Sequence, residues 1–327
     1  MLSVSVLIPT YNCQQYLAQA VQSAIHPEVL EIIVVDDGST DDTANAVEAL
    51  ARSHFASAQT KLRYIQQPNQ GVSAARNRGT KVAKGDLIAF LDADDWFEPE
   101  KLSKQVACFE ANAELDIVQC GWQRVNASGE LLAEVTPWLE VKELTLGNFL
   151  RFKPVLPSAL MVRRQCLLEI GGFDTALEAA EDVDLMSRLL LKGYRAEWVT
   201  DVLVNYRQHG SNAMGNALTQ ARDINKFLDK FFAQADLPSY VQMLENSVRY
   251  YTLIWAACYL QSTGHFKEMA QQLRKAWRYS PHLPTEALIC WIESFEAFGW
   301  QQEDSLNALL ASEEWQQLVR WLLIQRS

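Results

Sequence analysis

The sequence predicts an α/β fold, a mostly parallel sheet flanked by helices, with an α-helical C-terminal extension. Three observations carry this expectation. Short apolar runs rich in β-branched residues alternate with helical stretches through the first half, acid-rich loops stand directly after those runs, and no strand pattern appears beyond about residue 215. A chain of 327 residues with 49% hydrophobic content has the apolar material for two units, placed here at 1–214 and 215–327.

The elements follow in order. VSVLIP (4–9) precedes a helical pattern over 14–25, and EIIVV (31–35) precedes DDGSTDDT and a helix to about 52. LRYIQQ (62–67) leads through a glycine-containing loop to a helix at 72–83, and DLIAFL (86–91) leads through DADDWFEPE to a helix at 99–111. Strands alternating with helices imply right-handed crossovers and parallel pairing. Ser39, Thr40 and Asp41 are candidate N-caps, and Pro99 with Glu100 suits a helical first turn. From 116 the texture changes: DIVQCGWQRV-NASGE-LLAEV reads as a hairpin with Gly129 in its turn. SALMVRR (158–164) reads as a strand entering a helix, AEDVDLMSRLLLKG as a helix ended by Gly193, and 197–209 as extended. In the extension, 267–284 reads as a helix closed by prolines, and Leu306, Leu309, Leu310, Trp315, Leu318, Trp321 and Leu322 fall at helical spacing on one face.

Composition narrows the function classes. The net charge is −11 and no Lys/Arg-rich tract offsets it, which argues against nucleic acid as a partner. Six cysteines without a C-x-x-C pair read as reduced thiols. The N-terminus resembles a first strand more than a signal peptide, and the most apolar later run, 250–260, is about half the ~20 residues a membrane span needs. The expectation is a cytoplasmic protein, with attachment to the inner face of a membrane left open. Phosphate-loop, dinucleotide-fingerprint, H-E-x-x-H and G-x-S-x-G patterns are missing from the sequence.

The acids are the informative feature. In open α/β sheets ligands bind outside the carboxyl ends of the strands. Pro9-Thr10-Tyr11-Asn12, Asp36-Asp37-Gly38-Ser39 and Asp92-Ala93-Asp94-Asp95 all follow predicted strands, so they are expected side by side on one rim. One carboxylate there is an ordinary helix cap. Three in FLDADD repel one another unless something compensates them. A hard divalent cation, Mg²⁺ or Mn²⁺, takes one or two carboxylates together with substrate phosphates.

Taken together, PTYN (9–12), VVDDGSTDDT (34–43), NQGVSAARNRG (69–79), GDLIAFLDADD (85–95) and GGFD…AED (171–182) resemble, in this order, the motifs of glycosyltransferase family 2. These are inverting enzymes with the GT-A nucleotide-sugar fold. The resemblance covers about residues 3–212, and the C-terminal third carries none of its motifs. It implies a nucleotide-sugar donor, most simply UDP-linked, a divalent metal (Mn²⁺ or Mg²⁺), and a hydroxyl-bearing glycan or lipid-linked acceptor.

Residue by residue, the resemblance implies a nucleotide pocket of Pro9, Thr10, Tyr11 and Asp37, whose carboxylate would accept the N3–H of a uracil-type base. Gly71 would allow close backbone approach, and Arg76 would meet base or phosphate oxygens. Asp92 and Asp94 match the D-x-D pair, Asp92 near the ribose or a metal-bound water and Asp94 on the metal, with Asp95 capping or orienting. Glu181 and Asp182 match the family's E-D pair, Asp182 as the base that takes the acceptor's proton. Val183 stands where many members carry an aromatic residue, which leaves the shape of the acceptor pocket open. In NYRQHGSN (205–212), His209 would be a further metal or diphosphate ligand and Arg207 a diphosphate contact.

Two alternatives stand beside this reading. A sugar-1-phosphate nucleotidyltransferase would need a glycine-rich basic loop near the N-terminus, which PTYNCQQYL is not. A non-catalytic nucleotide-sugar-binding scaffold would not need the full carboxylate set. The tryptophans at 255, 277, 291, 300, 315 and 321 fit either a helical core or subunit contact, or a face for a membrane surface or protein partner.

Overall fold

The computed structural model describes residues 2–55, 60–210, 216–298 and 305–324. The chain divides into two compact units, Met1–Asn212 and Ala213–Ser327. Trp300, Ser211 and Asn212 lie outside the described residues.

The first unit opens with three strand–helix repeats: β1 Val4–Thr10, α1 Gln14–Ser23, β2 Val29–Asp36, α2 Thr43–His54, β3 Lys61–Gln66 and α3 Val72–Val82. Then come β4 Leu87–Phe90, β5 Trp96–Phe97 and α4 Lys101–Ala111, followed by the hairpin β6 Ile117–Val125 and β7 Leu131–Val135. α5 Leu146–Phe152, β8 Leu160–Arg163, α6 Arg164–Glu169, α7 Glu181–Leu191 and β9 Ala196–Arg207 complete it. The sheet runs β3-β2-β1-β4-β8-β6-β9-β5, with β7 on β6. β1, β2, β3 and β4 pair in parallel, and every residue of β1 is buried, as a strand covered on both faces requires. Beyond β4 the pairing is mixed: β8 is antiparallel to β4 and β6, β6 is parallel to β9, and β5 is antiparallel to β9.

Local chemistry explains most of the punctuation. Asn126 Oδ1 accepts from the amides of Ser128 and Glu130, and Gly129 supplies the left-handed φ of +91° that turns the β6–β7 hairpin. α7 ends where Tyr194 N–H reaches Leu189 O and Gly193 N–H reaches Leu190 O, a Schellman pair around a glycine at φ +95°.

Four sequence expectations change in detail. α2 starts at Thr43, two residues past Asp41, whose Oδ1 accepts from the Thr43 amide at 3.1 Å. α4 starts at Lys101, with Pro99 and Glu100 in the turn before it. β5 is two residues long and becomes a strand only by pairing with Asn205 and Val204 of β9. The 306–322 stripe belongs to two helices, because Ser312 breaks it and caps the second through the Trp315 amide.

The second unit is α-helical throughout its described residues: α8 Ala217–Phe232, α9 Ser239–Ser262, α10 Phe266–Trp277, α11 Pro284–Phe298, α12 Ser305–Ala311 and α13 Glu313–Ile324. α9 packs against α8, α10 and α11. Its core holds Leu253, Ile254, Ala257, Leu273, Trp291, Phe295, Trp315 and Leu318, while Leu310 stays exposed. Among the described residues no helix is long and apolar enough to cross a membrane.

Candidate active site

Because β1, β2, β3 and β4 run in parallel side by side, their carboxyl ends meet at one edge. The loops there are bonded to one another. Asn12, at φ +49°, accepts through Oδ1 from the Thr40 amide at 2.7 Å and donates its own amide to Ser39 Oγ at 2.9 Å. Asp37 donates its amide to Thr10 O. Its buried carboxylate accepts from Gln67 Nε2 at 2.7 Å, from the Gln70 amide at 2.9 Å and from the Gly71 amide at 2.7 Å. Gly71 itself sits at φ +89°, and an added Cβ would meet open space, so backbone conformation is what demands glycine. Pro9 and Thr10 are buried and Tyr11 is half exposed. Thr10 Oγ1 and Ser73 Oγ are buried without a hydrogen-bond partner among the described residues.

The acidic turn is held from several directions. Ser158 Oγ accepts from the Asp92 amide at 3.0 Å and donates to Asp95 Oδ2 at 2.6 Å. Asp95 Oδ1 accepts from the Arg207 amide at 3.0 Å. Burial, then the charges of Asp94 and Asp92, push the Asp95 carboxyl well above its ordinary range. Asp94 is raised as well, by burial and then by Asp92, and His209 opposes the shift. His209 Nε2 lies 2.9 Å from Asp94 Oδ2, and its ring packs on Tyr16 at 5.1 Å.

The two arginines that the resemblance places near the ligand both bond to protein groups. Arg207 is buried between the rings of Tyr16 and Trp96, and its guanidinium donates to Asp94 O, Ala127 O and Gln19 Oε1. A planar fork with that many protein acceptors helps position the turn. Arg76 is 3% exposed and bridges Asp92 Oδ1 at 2.6 Å to Glu181 Oε1 at 2.8 Å. It thus joins the acidic turn to the start of α7.

At that helix start, Ala180 adopts a left-handed φ of +60°, a conformation a non-glycine residue rarely takes, immediately before Glu181 and Asp182. Asp182 is partly exposed and accepts from its neighbour's amide, Val183 N, at 2.7 Å. Burial, and next the Glu181 charge, push its carboxyl up to about 7. Phe173 supports the bridge, with Arg76 5.2 Å over its ring. Asn77 clamps Phe173 through both backbone groups, Nδ2 to O at 2.8 Å and N to Oδ1 at 2.7 Å.

The structure therefore gathers Asp92, Arg76, Glu181 and Asp182 into one connected set, and Asp94 with His209 into another beside it. Sequence reasoning missed Ser158, Phe173 and Asn77. The last two lie inside quoted motifs, but their chemistry is positional. Ser158 opens the SALMVRR run read as a strand, and nothing local marks its hydroxyl.

Comparison with known proteins follows this geometry. Residues 5–162 match the family model described as glycosyl transferase family 2, and residues 87–322 match the one described as glycosyl transferase family group 2. The chain belongs to glycosyltransferase family 2. An uncharacterized glycosyltransferase of Rickettsia felis is 25% identical over 94% of this chain and 52% of its own length. Chondroitin synthase of Escherichia coli is 32% identical over 64% of this chain and 29% of its own length. The chain thus spans about half the length of these curated relatives, or less. Among solved structures, Staphylococcus aureus TarS 1-349 in complex with UDP-GlcNAc aligns with a TM-score of 0.61 at 21% identity, over 98% of this chain and 88% of that one. Mannosyltransferase PcManGT of Pyrobaculum calidifontis, in complex with GDP-Man and Mn²⁺, aligns at 0.61 with 17% identity, over 100% and 88%. These likenesses establish the GT-A fold of this family-2 chain.

Among the described residues no group of three His, Cys, Asp or Glu side chains is arranged to hold a metal. The donors present still fit a hard divalent ion: carboxylates raised by burial and by one another's charge, with an imidazole already facing one of them.

Proposed function

We propose that residues 1–214 form the catalytic unit of an inverting glycosyltransferase. It moves a sugar from a nucleotide-diphosphate donor, most simply a UDP-sugar, to a hydroxyl of a glycan or lipid-linked acceptor. The observation that carries this is the Arg76 bridge between Asp92 of the acidic turn and Glu181, next to an Asp182 raised to about 7. It ties donor side and base side together with one buried guanidinium.

The base of the nucleotide sits in the pocket of Pro9, Thr10, Tyr11, Asp37 and Gly71. Asp37 uses three acceptor positions on the 67–71 loop, and a carboxylate has about four, so one remains for a ring N–H. Thr10 Oγ1 and Ser73 Oγ offer further polar contacts there. Asp94 and His209, with Asp92 beside them, would hold a divalent ion, Mn²⁺ better than Mg²⁺ given the imidazole. Bound there, it would offset charge on the departing diphosphate. Arg76 keeps Asp92 and Glu181 in place. Asp182 takes the proton of the acceptor hydroxyl as it attacks the anomeric carbon from the face opposite the diphosphate, and a pKa near 7 suits a base working at neutral pH. One carboxylate suffices, so the configuration inverts. The unit works at the cytoplasmic side, where nucleotide sugars are delivered as soluble donors, and the charge of −11 argues against nucleic acid as its partner.

Asp182→Asn tests this. Metal-dependent nucleotide binding stays, and transfer falls by about 10²–10⁴, the usual worth of a general base. Undiminished transfer would remove Asp182 from the role.

A further inference from the structure

One inference concerns the hydroxyl that holds the acidic turn, and it rests on the reading of that turn as the donor site. Ser158 is fully buried, and its hydroxyl touches the turn at both ends, the Asp92 amide and the Asp95 carboxylate. It arrives from 63 positions away, on the strand approach to β8. The geometry points to Ser158 as a positioning residue for metal-dependent donor binding. Without its hydroxyl the Asp92 N–H and the buried Asp95 carboxylate each lose a partner, and the turn relaxes.

The test is calorimetric titration of UDP and GDP into wild type and Ser158→Ala, with and without Mn²⁺. Expected is an affinity loss on the order of tenfold with Mn²⁺, and little change without it. A merely structural defect would weaken both arms equally, and that result overturns the positioning role. Unaltered affinity in both arms overturns it too. A wild-type chain that binds neither nucleotide with Mn²⁺ overturns the donor-site reading itself, and this inference with it.

Discussion

The two halves of the sheet build the site in different ways. In the parallel half, β3-β2-β1-β4, each loop is bonded to its sequence neighbours' loops: Asn12 to 39–41, and Asp37 to 67–71. In the mixed half, β8-β6-β9-β5, the same rim is reached by long-range partners. Ser158, Glu181, Arg207 and His209 meet the acidic turn or Arg76 across 63 to 115 positions. Nucleotide pockets can be assembled from short strand-to-helix turns. Joining a donor to a proton acceptor needs elements that return to the sheet from far along the chain, and there the left-handed Ala180 stands directly before Glu181. Local cost at such positions is what functional sites carry.

Breaking the joint itself should have the largest structural effect. Arg76→Met leaves Asp92 and Glu181 facing each other with no cation and Phe173 with no guanidinium above it. Removing one partner of a buried ion pair costs about 3–5 kcal/mol. Urea unfolding of the variant should show that loss, and transfer should fall with it. A stability change below about 1 kcal/mol would mean the bridge behaves as a surface pair and does not join the halves.

His209→Ala should act on the metal alone. The imidazole meets Asp94 at 2.9 Å and packs on Tyr16, so its loss removes one donor and little core. Mn²⁺-dependent nucleotide affinity should drop by about 10-fold or more, read by thermal shift with and without the ion. An unchanged metal requirement would take His209 out of the site and leave the acidic turn to the parallel half.

Gly172→Ala asks how tightly the mixed half is fastened. Gly172 sits at φ +73°, and a Cβ there would lie 2.2 Å from Asn77 Oδ1, the atom that accepts from the Phe173 amide. The destabilisation should exceed ~1 kcal/mol, measured as a shift of the urea midpoint. A neutral substitution would show that the Asn77 clamp can move.

These contrasts also explain what was legible in the sequence. The strand–helix alternation, the hairpin at Gly129 and the shared rim of acids follow from periodicity and turn chemistry, which are local. Strand β5 was not legible, because two residues carry no period and only β9 makes them a strand. The inward roles of Arg76 and Arg207 were hidden for a similar reason: an arginine's motif position says nothing about which distant carboxylate or carbonyl will claim it. Ser158 left no local trace, since its partners are 66 and 63 positions away.

A last expected effect is the pH dependence of Asp182. Its folded pKa, about 7, lies above the unfolded carboxylate value near 3.9. The folded state therefore binds its proton more tightly, and ionising it opposes folding. That penalty is absent below about pH 4, grows between about 4 and 7, and is complete above 7. Asp182→Asn should thus melt at the same temperature as wild type near pH 4 and above it at pH 8, with the gap opening between. Transfer by wild type should rise with pH through the same region, because only the carboxylate can accept the hydroxyl proton. A gap that stays flat with pH would mean that Asp182 is an ordinary surface carboxylate, and the α7 end of the Arg76 bridge would then need another group to act as base.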